Sequence, residues 1–97
     1  MKTTKEILYI LTQFKHDMSP RFGIRSIGIF GSVARGDQRP DSDVDVFVDL
    51  ENPDYFIMCD IQETLERQFG TKVDLVRLRE GLQPVLLNNI TRDGIYA

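Results

Sequence analysis

Two apolar segments that predict strands are joined by a polar stretch, with small or acidic residues at both junctions. The first segment, Ile24 to Phe30, is short and rich in isoleucine, which predicts a buried strand. It runs directly into Gly31-Ser32, and after a gap of ten residues Asp43 opens a second apolar segment that ends at Leu50. This order of strand, loop and strand predicts a sheet at the centre of the fold.

Alternation along the second segment divides its side chains between two faces of the predicted strand. One face carries Val44, Val46 and Val48, and the other carries Asp43, Asp45 and Phe47. The Cα atoms of Asp43 and Asp45 should lie roughly 6–7 Å apart. Two carboxylates that close repel each other unless protons or cations intervene. Because an unpaired carboxylate inside an apolar strand is costly, we expect Asp45 to have a function.

Two helices are predicted from capping residues, helix-breaking residues and helical spacing of apolar residues. The N-terminal helix begins with the capping box Thr3-Thr4-Lys5-Glu6, and Ser19-Pro20 and Gly23 should end it. A later helix should have Asn52-Pro53 as its N-cap and first helical position, and Gly70 should end it. Residues at every fourth position form an apolar stripe on this helix: Ile57, Ile61, Leu65 and Phe69.

A third strand and a last helix complete the pattern. The strand should span Lys72 to Leu78, and the helix should begin at Pro84 and end at Gly94. The order is therefore helix, strand, short turn or helix, strand, helix, strand, helix. It predicts an α/β (α+β) fold with one small three-stranded sheet covered by helices, formed by residues 1–97 as a single domain.

Composition limits the classes of protein to which the chain can belong. With 97 residues, it has no room for a separate substrate-binding domain. Its net charge of −3 excludes the strongly basic surface of many nucleic-acid-binding proteins. One cysteine cannot form an internal disulfide, and no Cys/His cluster can hold zinc. The longest early apolar run, Ile7 to Leu11, is too short for a signal peptide or a membrane span. We therefore expect a cytoplasmic protein that binds neither nucleic acid directly nor membranes.

The residue types at the strand junctions suit the binding of a triphosphate and a divalent cation. Gly31 has no Cβ, so a phosphate can approach the backbone closely. Backbone N–H groups and the Ser32 hydroxyl can donate to the phosphate oxygens. Oxygen ligands such as Asp43 and Asp45 favour Mg²⁺, and Asp74, on the polar face of the third strand, can join them. Carboxylates around one or two divalent ions are the arrangement that in-line nucleotidyl transfer uses.

Gly31-Ser32, the ten-residue gap and Asp43-x-Asp45 resemble the signature of the polymerase-β-like nucleotidyltransferase superfamily. The residues around the signature, Phe30-Gly-Ser-Val-Ala-Arg-Gly36 and Ser42-Asp-Val-Asp45, are similar to those of the minimal nucleotidyltransferase, or MNT, proteins. Val73-Asp74-Leu75-Val76 and the closing Ile90…Gly94-Ile95-Tyr96 are also similar, so the resemblance covers nearly the whole chain.

This resemblance implies a nucleotidyltransferase core with a small mixed sheet flanked by helices. It implies that Gly31 and Ser32 hold the triphosphate of the co-substrate ATP, that Asp43 and Asp45 bind one or two Mg²⁺ ions, and that Asp74 is the third catalytic carboxylate. MNT proteins are often encoded beside a HEPN-domain protein as toxin–antitoxin pairs, and some transfer AMP from ATP to a tyrosine of the HEPN ribonuclease. The implied function is therefore that of a protein adenylyltransferase whose partner is a HEPN-domain toxin.

Several alternatives stay open on the sequence alone. Arg35 is a candidate phosphate contact, but it can equally pair with Asp37 or Asp41 on the loop surface. Asp74 can be a solvated residue on the polar face of its strand. The chain can also be a non-catalytic antitoxin that neutralises its partner by binding, although three clustered aspartates favour an enzyme. Transfer to a small molecule or to RNA is disfavoured by the missing second domain and the acidic charge. The oligomeric state is left open, and an oligomer is compatible with the sequence.

Overall fold

Four helices and four strands alternate along residues 2–97, which are the residues that the computed structural model describes. Their bounds are α1 Thr4–Phe22, β1 Ile24–Phe30, α2 Gly31–Arg35, β2 Val44–Leu50, α3 Tyr55–Phe69, β3 Val73–Arg77, α4 Pro84–Asp93 and β4 Ile95–Tyr96. The predicted α/β class is confirmed. No helix within these described residues has the length and apolar character needed to span a membrane.

The strands form one mixed sheet in the order β3-β2-β1-β4. Strand β1 pairs antiparallel with both β2 and β4, whereas β2 and β3 run parallel. The prediction of three strands was wrong, because Ile95 and Tyr96 form a fourth strand opposite Ile29 and Gly28. Two residues are too few to show a period-two alternation, so this strand is defined by its partner on β1 rather than by its own sequence.

The two faces of the sheet carry separate apolar clusters. The larger cluster lies between the sheet and helices α1 and α3, and it includes the predicted valine face of β2: Val44, Val46 and Val48. The smaller cluster lies under α4 and contains Phe30, Phe47, Leu82 and Ile90. Residues of β2 therefore alternate between the two clusters, as the sequence predicted.

Helix α1 begins as predicted, and of the residues predicted to end it only Gly23 does so. The capping box is present, since the Thr3 hydroxyl accepts a hydrogen bond from the backbone N–H of Glu6 and the Glu6 side chain accepts from that of Thr3. The prediction that Ser19-Pro20 ends the helix was wrong, because the helix continues to Phe22 and Gly23 ends it with φ of 68°. Phe22 is buried 6.3 Å from the ring of Phe14, and this packing holds the final turn beyond the proline.

Helix α3 also starts later than predicted. Its N-cap is Asp54 rather than Asn52, because the Asp54 carboxylate accepts from the backbone N–H groups of Phe56 and Ile57 at 2.7 and 3.4 Å. The rest of the prediction is confirmed: Gly70 ends the helix, and the predicted stripe packs into the larger cluster. The hydrogen bonding between β2 and β3 extends one residue beyond each end of β3, since the Val44 N–H donates to the Lys72 carbonyl at 3.0 Å and the Leu78 N–H donates to the Val48 carbonyl at 2.8 Å.

Candidate active site

Three strands place the predicted site residues at one end of the sheet. Helix α2 follows β1 without a linking residue, so Gly31 and Ser32 lie where β1 ends. Asp43 immediately precedes β2 and is exposed. Asp45, the second residue of β2, lies opposite Phe30 on β1 and opposite Asp74 on β3. The antiparallel and the parallel pairing therefore bring the end of β1 and the starts of β2 and β3 together.

Asp45 and Asp74 also share one face of the sheet. Asp45 alternates with the buried valines and lies on the same face as Phe47, two residues further along β2. Asp74 is two residues before Val76, which packs against the same cluster as Phe47. The two carboxylates are thus neighbours across a parallel pair, on the face that carries α4. Asp74 is exposed, whereas Asp45 is half-buried.

The environment of Asp45 disfavours its charged form. Burial, followed by the negative charges of Asp74 and Asp43, raises the pKa of Asp45 to about 6. The charge of Arg35 acts weakly in the opposite direction. No side chain within residues 2–97 donates a hydrogen bond or forms an ion pair with the Asp45 carboxylate. A proton or a bound cation would therefore stabilise this carboxylate.

Gly31 lies directly against this carboxylate. Its φ is 71°, and a Cβ at this position would overlap the Oδ2 atom of Asp45. Only glycine meets both conditions, because a left-handed backbone strains other residues and there is no space for a side chain. The five-residue helix α2 begins here, as the sequence allowed. The Ser32 carbonyl accepts from the N–H groups of Gly36 and Asp37, whereas its hydroxyl has no partner within the described chain.

Arg35 lies in the last turn of α2 and forms two ion pairs. Its Nε lies 3.2 Å from the Asp37 carboxylate, and its Nη1 lies 3.0 Å from that of Asp93. Asp37 and Asp93 together raise the pKa of Arg35. Of the two ion pairs that the sequence left open as alternatives, the pair with Asp37 is formed and the pair with Asp41 is not. Asp93 was missed, because it is 58 residues away and only the packing of α4 brings it near.

The carboxylate oxygens at this end of the sheet are of the type that would bind Mg²⁺ together with substrate phosphates. No three His, Cys, Asp or Glu side chains among residues 2–97 form a ready-made metal cluster. Mg²⁺ usually takes one or two carboxylates together with substrate phosphates, so a complete protein cage is not required. A half-buried carboxylate that has no side-chain partner within residues 2–97 and lies beside two other aspartates is the kind of donor that such an ion would neutralise.

The chain is similar in sequence and fold to known nucleotidyltransferases. A family model described as polymerase beta, nucleotidyltransferase, matches residues 12–96. The protein adenylyltransferase MntA of Thermococcus cleftensis is 40% identical over 97 residues, which cover 99% of this chain and 97% of that protein.

Two solved structures have the same fold. One, proposed to be a minimal nucleotidyltransferase, superimposes with a TM-score of 0.76 at 32% identity and covers 97% of this chain and 95% of its own. The other, a toxin–antitoxin with AMP-PNP, has a TM-score of 0.73 at 26% identity, with 89% of this chain and 68% of that chain covered.

Proposed function

The chain belongs to the polymerase-β nucleotidyltransferase family, and from this premise we propose that it transfers AMP from ATP to a tyrosine hydroxyl of a partner protein. We propose Mg²⁺ as its cofactor and a HEPN-domain toxin as its partner. The observation that carries the proposal is Asp45, which lies against the Gly31 backbone and beside Asp74, and whose carboxylate has no hydrogen-bond donor or ion-pair partner among the side chains of residues 2–97.

In the proposed reaction, the residues of the site bind the triphosphate and the metal ion. Gly31 lets the triphosphate lie close to the backbone at the start of α2, and the Ser32 hydroxyl donates to a phosphate oxygen. Arg35 adds a positive charge at the other end of this short helix. Asp43 and Asp45 would hold Mg²⁺, and Asp74 would complete that site. When bound, Mg²⁺ neutralises phosphate charge and stabilises the attacking and leaving oxygens.

The chemical step is an in-line displacement at the α-phosphorus of ATP. The tyrosine oxygen forms a bond to that phosphorus, and the bond from the phosphorus to the bridging oxygen breaks. Pyrophosphate leaves with the electron pair, and the phenolic proton passes to Asp74, which is exposed at the edge strand. The atoms and charges of ATP and tyrosine balance those of AMP-tyrosine, pyrophosphate and the transferred proton.

The partner is proposed to supply the acceptor side of the site. The MntA relative carries the name protein adenylyltransferase, and one structural neighbour is a toxin–antitoxin solved with AMP-PNP. Both support a protein acceptor and ATP as the donor.

We treat residues 1–97 as a single minimal nucleotidyltransferase domain, since the helices on both sides pack against one sheet. A reaction that consumes ATP suits the cytoplasm.

The decisive experiment uses the full chain, ATP, Mg²⁺ and the HEPN-domain protein encoded beside it. We expect the mass of the HEPN-domain protein to increase by one or more AMP units. The Asp43→Ala/Asp45→Ala variant should lose this increase. Asp49→Ala is the matched control, because Asp49 lies on the same strand but pairs with Ser26 at the far end.

Two results would contradict the proposal in different ways. One result is that the double variant still neutralises the toxin and that neither the wild-type chain nor the variant increases the mass of the partner. The chain would then be a binding antitoxin without transferase activity. If the wild-type chain modifies the partner at a residue other than tyrosine, the transferase stands and the proposed acceptor is wrong.

A further inference from the structure

Asp93 is a partly buried carboxylate outside the cluster of Asp43, Asp45 and Asp74, and it connects helices α2 and α4. Its side chain is only 9% exposed, at the last residue of α4. Arg35 Nη1 donates to its Oδ2 at 3.0 Å, and Arg92 donates to both of its oxygens at 3.0 and 3.1 Å. Arg92, and then Arg35, hold the pKa of Asp93 below its usual range. The group is therefore an anion in the folded protein, with its oxygens directed at two guanidinium groups.

The backbone around Asp93 is held on both sides. Gly94, the next residue, donates its N–H to the Ile90 carbonyl at 2.7 Å, and Ile90 is buried in the cluster under α4. Ile95 then pairs with Ile29 on β1, next to the strand end from which α2 begins. Asp93 is thus fixed to the same sheet that carries Asp45.

Arg35 has a second partner of a different kind. Asp37 lies in the segment between α2 and β2, and its side chain is 62% exposed. An exposed pair contributes little and is screened by salt. The Asp93 side chain is much less exposed to water than that of Asp37, so its ion pair with Arg35 is less screened and holds the guanidinium more firmly. Of the two, Asp93 therefore determines where Arg35 lies.

We propose that Asp93 is a positioning residue for ATP, which holds Arg35 at the end of α2 so that its remaining N–H groups bind the triphosphate. The inference rests on the proposed function. Arg35 has five N–H donors, of which the two ion pairs use Nε and Nη1. The remaining donors are available to an anion that binds along α2, and a guanidinium already fixed in place loses less entropy on binding.

The test measures AMP-PNP binding with Mg²⁺ by calorimetry, which needs no partner protein. We expect Asp93→Asn to weaken binding about tenfold and Arg35→Gln to weaken it at least as much. The double variant should bind no more weakly than Arg35→Gln alone, because Asp93 acts only through Arg35. Arg92→Ala is the matched control, since it removes the other partner of Asp93 and should change binding less than twofold.

A purely structural role predicts a different pattern. It would lower the melting temperature of Asp93→Asn while leaving AMP-PNP affinity unchanged below that temperature, and this result would overturn the inference alone. Failure of the wild-type chain to bind AMP-PNP would overturn the proposed function as well. If Asp93→Asn does not fold, Asp93→Glu carries the same test. It should weaken binding in the wild-type background and have no effect on top of Arg35→Gln.

Discussion

The two faces of strand β2 use alternate residues of one strand for opposite purposes. Val44, Val46 and Val48 are fully buried against α1 and α3, where every contact stabilises the fold. On the other face, Asp45 is a half-buried carboxylate whose nearest charges are mostly negative. Removing water from such a group costs free energy, and no side-chain hydrogen bond or ion pair within residues 2–97 offsets this cost.

This difference shows how a small chain combines a core with a reactive site. The period of two in a strand separates the valines from Asp45 although they are adjacent in sequence. The larger cluster can therefore stabilise the fold, although the opposite face carries a destabilising group of carboxylates at one end of the sheet. Substitutions on the valine face should therefore lower stability, whereas substitutions at Asp45 should lower activity.

The largest expected effect is that of Asp45→Asn on AMP transfer. Loss of this carboxylate should lower the transfer rate at least about 1,000-fold, because a metal ligand and its charge are lost. The metal-free variant should nevertheless be more stable than wild type by about 1 kcal/mol, since the desolvation cost and the repulsion disappear. Transfer is measured by the mass of the partner, and stability by urea unfolding with EDTA.

Asp49→Asn serves as the control for that variant, because Asp49 lies on the same face of β2 at its other end. It should retain transfer within about twofold. A loss of both activity and stability in Asp45→Asn would remove the contrast between the faces.

Gly31→Ala should affect activity nearly as strongly. The methyl group would overlap the Asp45 carboxylate, so the carboxylate must move, and we expect about a 100-fold loss of transfer. The left-handed backbone adds a strain of about 1–2 kcal/mol to the free energy of folding. Both effects are measured in the same assays as above.

Gly70→Ala isolates the strain from the overlap. Gly70 has nearly the same φ, 72°, and its Cβ would meet nothing within 4 Å. This variant should lose similar stability and keep its transfer rate. If it lost activity as Gly31→Ala does, the contact between Gly31 and Asp45 would not be the cause.

The valine face should show the reverse behaviour. Val46→Ala removes two methyl groups from a fully buried position and should lower the free energy of unfolding by about 2–3 kcal/mol. At a temperature where the variant is folded, the transfer rate should stay within about twofold of wild type. Val85→Ala is the control, because Val85 is 62% exposed on α4 and should change stability by less than about 0.5 kcal/mol.

Several parts of the structure that depend on short stretches of sequence were predicted correctly. The bounds of β1 were predicted correctly because a continuous apolar run meets Gly31-Ser32. The two faces of β2 and the stripe of α3 followed from their periods of two and about four. At the site, the spacing of Gly31-Ser32 and Asp43-x-Asp45 predicted residues that the strand pairing places at one end of the sheet.

The remainder depends on pairing between distant segments. The parallel register that sets Asp45 beside Asp74 has no local signature, and neither has the two-residue strand β4. The ion pair of Arg35 with Asp93 forms only because α4 crosses the face above β1. The start of α3 was misplaced because Asn52 and Asp54 are both good N-caps, and the structure uses the second.

The smallest predicted effect is a pH dependence of the metal-free protein. Because the pKa of Asp45 is about 6 in the folded chain and near 3.8 when unfolded, the folded state binds its proton more tightly. This contribution to stability is fully present below about pH 3.8 and is lost as the pH rises through 6. Partial exposure screens the group, so we expect a loss of about 1 kcal/mol rather than the full value of the shift.

Comparison with Asp45→Asn isolates this loss from other titrations. Glu6 and Asp93 have lowered pKa values, so they add stability as the pH rises, and they do so equally in both proteins. Urea unfolding with EDTA at several pH values from 4 to 7 should therefore show the wild-type chain losing stability relative to Asp45→Asn. Parallel curves would mean that Asp45 is as well solvated as an ordinary surface carboxylate, and the two faces of β2 would then differ in composition but not in energetic cost.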